Sequence, residues 1–322
     1  MLRYFKIIDG TIREQTPMED GKYKDGMYAV MSDAGWIDAH EPTEVERAFL
    51  QRWLHTDLPE SDDVEEIESS ARYFVDASGI HVHSLFLMQS EGRYCTVTVA
   101  CILQPSRLIT LREGELADFR LLRMRARRGQ VESHTAQELL VTLFEQKVEN
   151  LADLLEDIHR KLEGVGYLVL EDNDSELEDA IGQLAKLEDS NGKIRLCLMD
   201  TQRSISFLQR HLRDQPSLQE TCREIMRDLD TLLSHTAFLF DKINFLMDST
   251  QGFINIEQNQ TIKIFSIAAV VFMPPTMIAS IYGMNFQFLP ELQWQFGYPS
   301  ALALMILSGL TPYWYFKRKG WL

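Results

Sequence analysis

Hydrophobic positions are spread unevenly along this chain. Up to about residue 260, apolar and charged residues alternate over short distances, as in a water-exposed fold built round a core. Ile264–Ile281 (IFSIAAVVFMPPTMIASI) then holds no charged residue, and after a short loop Tyr298–Phe316 is charge-free again. Each run reaches the roughly 18 residues that predict a membrane-spanning helix. The competing reading is a pair of buried helices in a soluble core, which the C-terminal placement of both runs disfavours.

The preceding part divides by periodicity. HVHSLFLM (81–88), YCTVTVACIL (94–103) and RLITLRE (107–113) are rich in apolar and β-branched residues and predict strands, whereas TEVERAFLQRWL (43–54) predicts a helix. From about 133 the pattern is helical, with breaks expected near Gly164–Gly166, Ser190–Gly192 and Asp214–Ser217. A last helix starts near Leu218 and meets no breaker until Pro274. The expected organisation is an α/β domain over 1–132, a helical hairpin over 133–217 and a long stalk helix over 218–283 whose end, about 262–283, is the first span. An external loop over 284–297, a second span over 298–316 and a basic tail over 317–322 follow.

Charge refines this picture. Lys and Arg total 32 against 48 Asp and Glu, a formal net charge of −16, which argues against nucleic acid and suits a protein that attracts cations. The loop Asn285–Gly297 carries no Lys or Arg and one charge, Glu291, while Lys263 precedes the first span and Lys317, Arg318 and Lys319 follow the second. The positive-inside rule then places both termini in the cytoplasm, with Trp294, Tyr298, Trp314 and Tyr315 as interfacial anchors. The N-terminal run MLRYFKIIDG is interrupted by Arg3, Lys6 and Asp9 and does not read as a signal peptide. Cys95, Cys101, Cys197 and Cys222 form no CxxC pair, which fits buried thiols in a reducing compartment.

The first span is unusually polar. Asn259, Ile262, Ser266, Ala269, Met273, Thr276, Ser280 and Gly283 recur every three or four residues as one stripe of small, polar or flexible side chains, and Asn255, Gly252 and Asp248 extend it backward. Val271, Phe272, Ile278 and Ile281, assigned to the other side, are bulky and apolar. Such a stripe reads equally as a seam between membrane helices or as the wall of a water-lined axis. One helix encloses no pore, so the second reading requires several copies round an axis. Pro274 and Pro275 remove backbone donors within the span.

The span ends in Tyr282-Gly283-Met284-Asn285-Phe286, and here the chain resembles the CorA family, whose signature is Gly-Met-Asn at the outer end of the first membrane helix. FINIEQN (253–259), KIFS (263–266), Pro-Pro-Thr (274–276), PEL (290–292), FGYP (296–299) and the closing YFKRK-WL carry the resemblance further. ARYF (71–74), RLLRMRAR (120–127) and RLCLMDTQR (195–203) extend it to most of the chain. The resemblance implies a homopentamer in the bacterial inner membrane, with a cytoplasmic α/β funnel and a pore passing Mg²⁺, and also Co²⁺ and Ni²⁺, down the electrochemical gradient. It makes Gly283, Met284 and Asn285 the selectivity filter. Asn259 and Thr276 become hydration rings, Ile262 and Met273 apolar constrictions, and Asp248 an acidic ring in the funnel throat. It also implies closure by cytoplasmic Mg²⁺ bridging acidic residues of neighbouring subunits, for which Glu224 and, more loosely, Glu91 match by position; both are Glu where the family pattern has Asp. A zinc transporter of the same superfamily and a non-conducting, membrane-anchored metal sensor are the alternatives.

The remaining signals point elsewhere or nowhere. His81 and His83 share one face of a strand and suit packing better than a transition metal, since no third ligand is evident. The acidic runs Asp62, Asp63, Glu65, Glu66, Glu68 and Glu171, Asp172, Asp174, Glu176, Glu178, Asp179 read as solvated faces, with a hard-cation surface as the alternative. Arg123, Arg125, Arg127 and Arg128 are expected to pair with those carboxylates rather than with anionic lipid. No nucleotide-binding loop and no catalytic constellation is present, so no ATP-driven step and no enzyme is implied.

Overall fold

A computed structural model describes residues 1–15, 31–54, 58, 72–90, 92–170, 177–285 and 294–321. They form two compact units, Met1–Leu246 and Met247–Leu322.

The first unit is built on a seven-stranded sheet of order β2-β1-β3-β7-β6-β5-β4. Its strands are β1 (Leu2–Ile8), β2 (Thr11–Gln15), β3 (Trp36–His40), β4 (Tyr73–Asp76), β5 (Gly79–Ser90), β6 (Arg93–Leu103) and β7 (Leu108–Arg112). All neighbours are antiparallel except β3 and β7. The β1–β2 turn is Asp9-Gly10, both with positive φ (48° and 77°), the pairing that a two-residue hairpin of right-handed twist demands. The expected strands at 81–88, 94–103 and 107–113 lie in β5, β6 and β7.

Alternation along the strands sends side chains to two covered faces. On one face Tyr4, Ile37, Ala39, Ala100, Ile102, Ile109 and Leu111 pack with Leu50 and Leu54 of α1 (Glu44–Leu54). On the other, Trp36 stacks on Phe5 at 4.4 Å, and Phe86 meets Phe119 of α2 (Ala117–Arg127) and Phe144 of α3 (Ala136–Leu170). A fourth helix, α4 (Leu177–His211), pairs with α3 and lies on β5.

The helices run through two of the expected breaks. α3 continues past Gly164 and Gly166, and α4 past Ser190–Gly192. A helical glycine costs about 1 kcal/mol relative to alanine. Each is outweighed by buried neighbours such as Leu162 and Val165 or Ile194 and Leu198, worth roughly 1.5–3 kcal/mol apiece. The third break is real: α4 ends at His211 and α5 (Pro216–Tyr282) begins on a proline, whose missing N–H has no helical partner at that position anyway. α5 passes through both units and continues beyond Pro274 and Pro275 to Tyr282.

Two buried charge networks tie helices to the sheet. Asp38 on β3, wholly buried, accepts from Arg112 Nε (3.1 Å) and Nη2 (3.0 Å), Arg123 Nη1 (3.2 Å) and Thr110 Oγ1 (3.1 Å). Asp200 on α4 accepts from Arg72 (2.9 Å), the Tyr73 hydroxyl (3.0 Å), Ser84 Oγ (2.6 Å) and the Leu85 amide (2.7 Å). Beside it, fully buried Lys147 donates to Ser84 Oγ at 2.9 Å and lies over the Phe86 ring at 4.3 Å.

Among the described residues the basic stretch has these partners. Arg123 bridges to Asp38 and Glu115, Arg125 to Glu149 and Arg127 to Glu14. The acidic run Asp62–Glu68, and Glu171, Asp172, Asp174 and Glu176, lie outside the described residues.

The second unit comprises the end of α5 and α6 (Gly297–Arg318). Among the described helices, only α5 carries an 18-residue window long and apolar enough to cross a membrane, and 6% of that window is buried. α6 is helical over the second charge-free run, but Gly, Pro, Tyr and Trp dilute its hydrophobicity.

Candidate functional site

The polar stripe lies on one side of α5, and α6 covers the other. Ile267 is buried, and Lys263, Val271, Pro274, Pro275, Ile278 and Tyr282 are partly buried, recurring at helical spacing. At about 100° per residue these positions point roughly 180° away from the stripe. Asn259, Ile262, Ser266, Ala269, Met273, Thr276, Ser280 and Gly283 are all exposed, as are Met284, Asn285 and, earlier on α5, Asp248. Of the side chains assigned to the other face, Val271 and Ile278 are partly covered while Phe272 and Ile281 stay exposed.

Covering one face and not the other is a local consequence of sequence. Ala301, Met305, Ser308, Gly309, Pro312 and Phe316 form the less exposed side of α6, and the small ones allow close approach. A Cβ on Gly309 would lie 3.4 Å from Pro275 Cγ and 3.5 Å from the Val271 carbonyl oxygen. That carbonyl is the one whose helical donor Pro275 lacks, so α6 packs closely where the α5 ladder is interrupted. Gly309 was not among the residues singled out from sequence. Its signal was present as a glycine within a charge-free helix, but its partner was not.

The stripe itself is neutral and mostly small, with two bulky apolar exceptions, and is flanked by exposed apolar side chains such as Phe265, Val270, Phe272 and Met277. Ile262 and Met273 are 61% and 66% exposed, so the chain itself does nothing to shield them. Thr276 Oγ1 donates to the Phe272 carbonyl at 2.7 Å, which commits its proton to the helix and leaves its oxygen lone pairs as acceptors. Asp248 and Glu257 are the only described acidic residues of this unit.

Gly283 ends the helix in a way the sequence reading did not specify. Its φ is not in the left-handed region. Its N–H still reaches the Ala279 carbonyl at 2.9 Å, and Met284 N–H reaches Ile281 at 3.3 Å. A Cβ here would sit 3.2 Å from the Ala279 oxygen, so the requirement is room in a tightened last turn.

Glu224 is exposed on the first-unit part of α5 and stands with other carboxylates. Glu145 on α3, exposed like Glu224, has its pKa raised, first by desolvation and then by Glu149, Glu224 and Asp228, with Arg125 opposing. Among the described residues no group of three or more His, Cys, Asp or Glu is arranged to hold a metal ion. Glu91 lies outside the described residues.

His81 and His83 are packed inside the first unit. His81 Nε2 sits 3.0 Å from Asp76 Oδ1 and 2.8 Å from Ser78 Oγ, locking the β4–β5 turn, and its ring stacks on Phe74 at 4.3 Å. Desolvation, with the nearby charges of His81 and Arg72, lowers the His83 pKa to about 4. Cys101, Cys197 and Cys222 are buried free thiols and Cys95 is half-buried.

Residues 32–318 match the family model described as CorA-like Mg2+ transporter protein. The magnesium transport protein CorA of Salmonella typhimurium is 51% identical over 292 residues, 90% of this chain and 92% of that one. CorA of Escherichia coli has the same identity and coverage. Among solved structures, the complete CorA magnesium transporter of Methanocaldococcus jannaschii matches with a TM-score of 0.74, covering 100% of this chain and 98% of that one at 18% identity, which establishes the shared fold. With a family model spanning most of its length and relatives half identical to it, this chain belongs to the CorA-like Mg²⁺ transporter family.

Proposed function

We propose that this chain forms a homopentameric divalent-cation channel of the bacterial inner membrane, with both termini cytoplasmic and α5 and α6 both crossing the bilayer. It passes Mg²⁺, and also Co²⁺ and Ni²⁺, inward down the electrochemical gradient. The observation that carries the reading is the uncovered polar face of α5, opposite the face on which α6 packs. A neutral stripe ending in Gly-Met-Asn is poorly suited to lipid and well suited to an axis shared by several copies.

The chemistry follows from the ion. Mg²⁺ gives up its six waters reluctantly, and bound waters point their hydrogens outward. A pore for the hydrated ion therefore needs acceptors that are neutral enough to release it. Five Asn285 amide oxygens at the mouth supply them without the tight hold of a carboxylate ring. Thr276, its proton already used on the Phe272 carbonyl, supplies a second ring of acceptors, and Asn259 a third. Ser266, Ala269 and Ser280 keep the wall small between the constrictions at Ile262 and Met273. Gly283 and Met284 hold the turn that presents Asn285. Asp248 concentrates cations below.

Cytoplasmic Mg²⁺ closes the channel by binding acidic residues between subunits, with Glu224 and Glu91 as the matched positions. The grouping of Glu145, Glu149, Glu224 and Asp228 supports this: behind desolvation, the charges of the other three help raise the Glu145 pKa, and a cation relieves such repulsion. A zinc transporter of the same fold and a non-conducting sensor remain the alternatives; the intact Gly-Met-Asn and the 51% identity to proteins named for magnesium transport favour the channel.

The test is ion influx into proteoliposomes with low internal Mg²⁺, comparing unaltered protein with Asn285→Ala. Mg²⁺ influx lost in the variant supports the filter. Zinc influx without Mg²⁺ influx moves the assignment to zinc, and binding with no flux of any metal moves it to a sensor.

A further inference from the structure

We infer that the unit Met247–Leu322 holds a binding site for an anionic phospholipid, with an acyl chain in a groove between α5 and α6 and the headgroup at the basic end of α6. This rests on the membrane placement proposed above. The groove has a volume of about 440 Å³, within the range of ligand sites, and is lined by hydrocarbon from Val271, Phe272 and Pro275 on one side and Met305, Ile306 and Leu310 on the other. Gly309, where the two helices approach closely, also lines it.

Tyr313 closes one end of the groove, and Lys317, four residues on, shares its face of α6 about one turn away. Three further cations cluster with aromatic rings at this end. Arg318 lies 5.6 Å over Trp314, Lys319 5.4 Å over Tyr315 and Lys263 5.9 Å over Trp321, which stacks on Phe316 at 5.6 Å. Among the described residues, none of Lys263, Lys317, Arg318 and Lys319 forms an ion pair with a carboxylate. Their charge is therefore unpaired among the described residues, although the chain as a whole carries −16.

Charge complementarity selects the occupant. An apolar helix of a second copy would fill the hydrocarbon groove and leave the cations unmet. A soluble anion would meet the cations and leave the hydrocarbon groove empty. A phospholipid with a net negative headgroup answers both features at once, and amphipathic rings at headgroup depth suit the same location.

The experiment is native mass spectrometry of full-length protein released from vesicles of mixed phosphatidylcholine and phosphatidylglycerol. The expected result is retained phosphatidylglycerol enriched over the bulk ratio. Each cation near an anionic surface is worth about fivefold in affinity, so Lys317→Gln/Arg318→Gln/Lys319→Gln lowers the preference on the order of a hundredfold. Ile306→Trp, at a position already 61% exposed and so tolerant of bulk, fills the groove and lowers retention of both lipids. Retention at the bulk ratio, or enrichment that survives both variants, overturns the site. Displacement of phosphatidylglycerol by equimolar glycerol phosphate marks a soluble-anion site instead and also overturns it. So does a disulfide between copies of Ile306→Cys, which would show a second chain in the groove. No arm reads ion flux: a chain that fails to enter vesicles contradicts the membrane placement, whereas an embedded chain without enrichment contradicts this site alone.

Discussion

Replacing Asp200 with alanine removes the acceptor on which four donors converge. Arg72, Tyr73 and Ser84 lose their hydrogen bonds to its carboxylate, and the Leu85 amide loses its acceptor. Breaking a buried charge pair by deleting one partner costs about 3–5 kcal/mol, because the other charge stays buried. An unsatisfied buried amide adds about 1–3 kcal/mol, less than additively for groups in one network. The expected loss is thus about 4 kcal/mol or more, a large share of the roughly 5–15 kcal/mol that holds a domain together. Hydrogen exchange on the full-length protein in micelles reads it locally: amides of β4, β5 and α4 lose about a thousandfold in protection. Asp200→Asn keeps the size but turns an amide donor toward groups that are themselves donors, and falls between. Asp200→Leu with Arg72→Met removes the Arg72–Asp200 pair and recovers part of the loss, the Leu85 amide and buried Lys147 still lacking the carboxylate. A loss below tenfold for Asp200→Ala would refute the reasoning, since the carboxylate would then be no anchor for the sheet.

Three further outcomes follow. His83 is held neutral by burial, with a folded pKa near 4 against an ordinary 6.5, so its contribution is complete above about pH 6.5 and is lost as pH falls toward 4; by then the cost is roughly 3 kcal/mol, and thermal melts should show His83→Gln with a shallower acid dependence. Thr276→Val keeps the shape of the side chain but deletes its oxygen, and Mg²⁺ influx should drop at least about fivefold, with Thr276→Ser restoring it, given about 1 kcal/mol per hydrogen bond. Glu224→Gln should let influx persist at severalfold higher internal Mg²⁺, measured on proteoliposomes loaded with graded Mg²⁺; an unchanged inhibition curve would remove Glu224 from the regulatory set.

The strands of residues 79–112 were legible because their apolar and β-branched residues satisfy the demands of a sheet covered on both faces. β3 was not, because Trp-Ile-Asp-Ala-His places a carboxylate in the core, and only Arg112 and Arg123, more than seventy positions away, make that tolerable. The same applies to ARYF and RLCLMDTQR: both stood out as motifs, but their meaning is the contact between Arg72, Tyr73 and Asp200 across 127 or more positions. Glycines 164 and 166 look like a break locally and are overridden by packing. The polar stripe was readable from one helix alone, since its period is a property of α5. Which face α6 covers depends on Gly309 meeting Pro275, a pairing that periodicity in either helix leaves open. The regulatory partners proposed between subunits lie further out of reach, since no single sequence position carries the geometry of a neighbouring chain.

The central claim is that the face of α5 left uncovered by α6 is the path of the ion. Cysteine substitutions read it most directly, in a Cys95→Ser background because the other three native thiols are buried. A cationic thiol reagent added to proteoliposomes should block Mg²⁺ influx through Ser266→Cys, Met273→Cys and Ser280→Cys while leaving Val271→Cys and Ile278→Cys conducting. Block at Val271 and Ile278 with the other three unaffected would contradict the claim, and would place the ion on the side of the helix that α6 occupies.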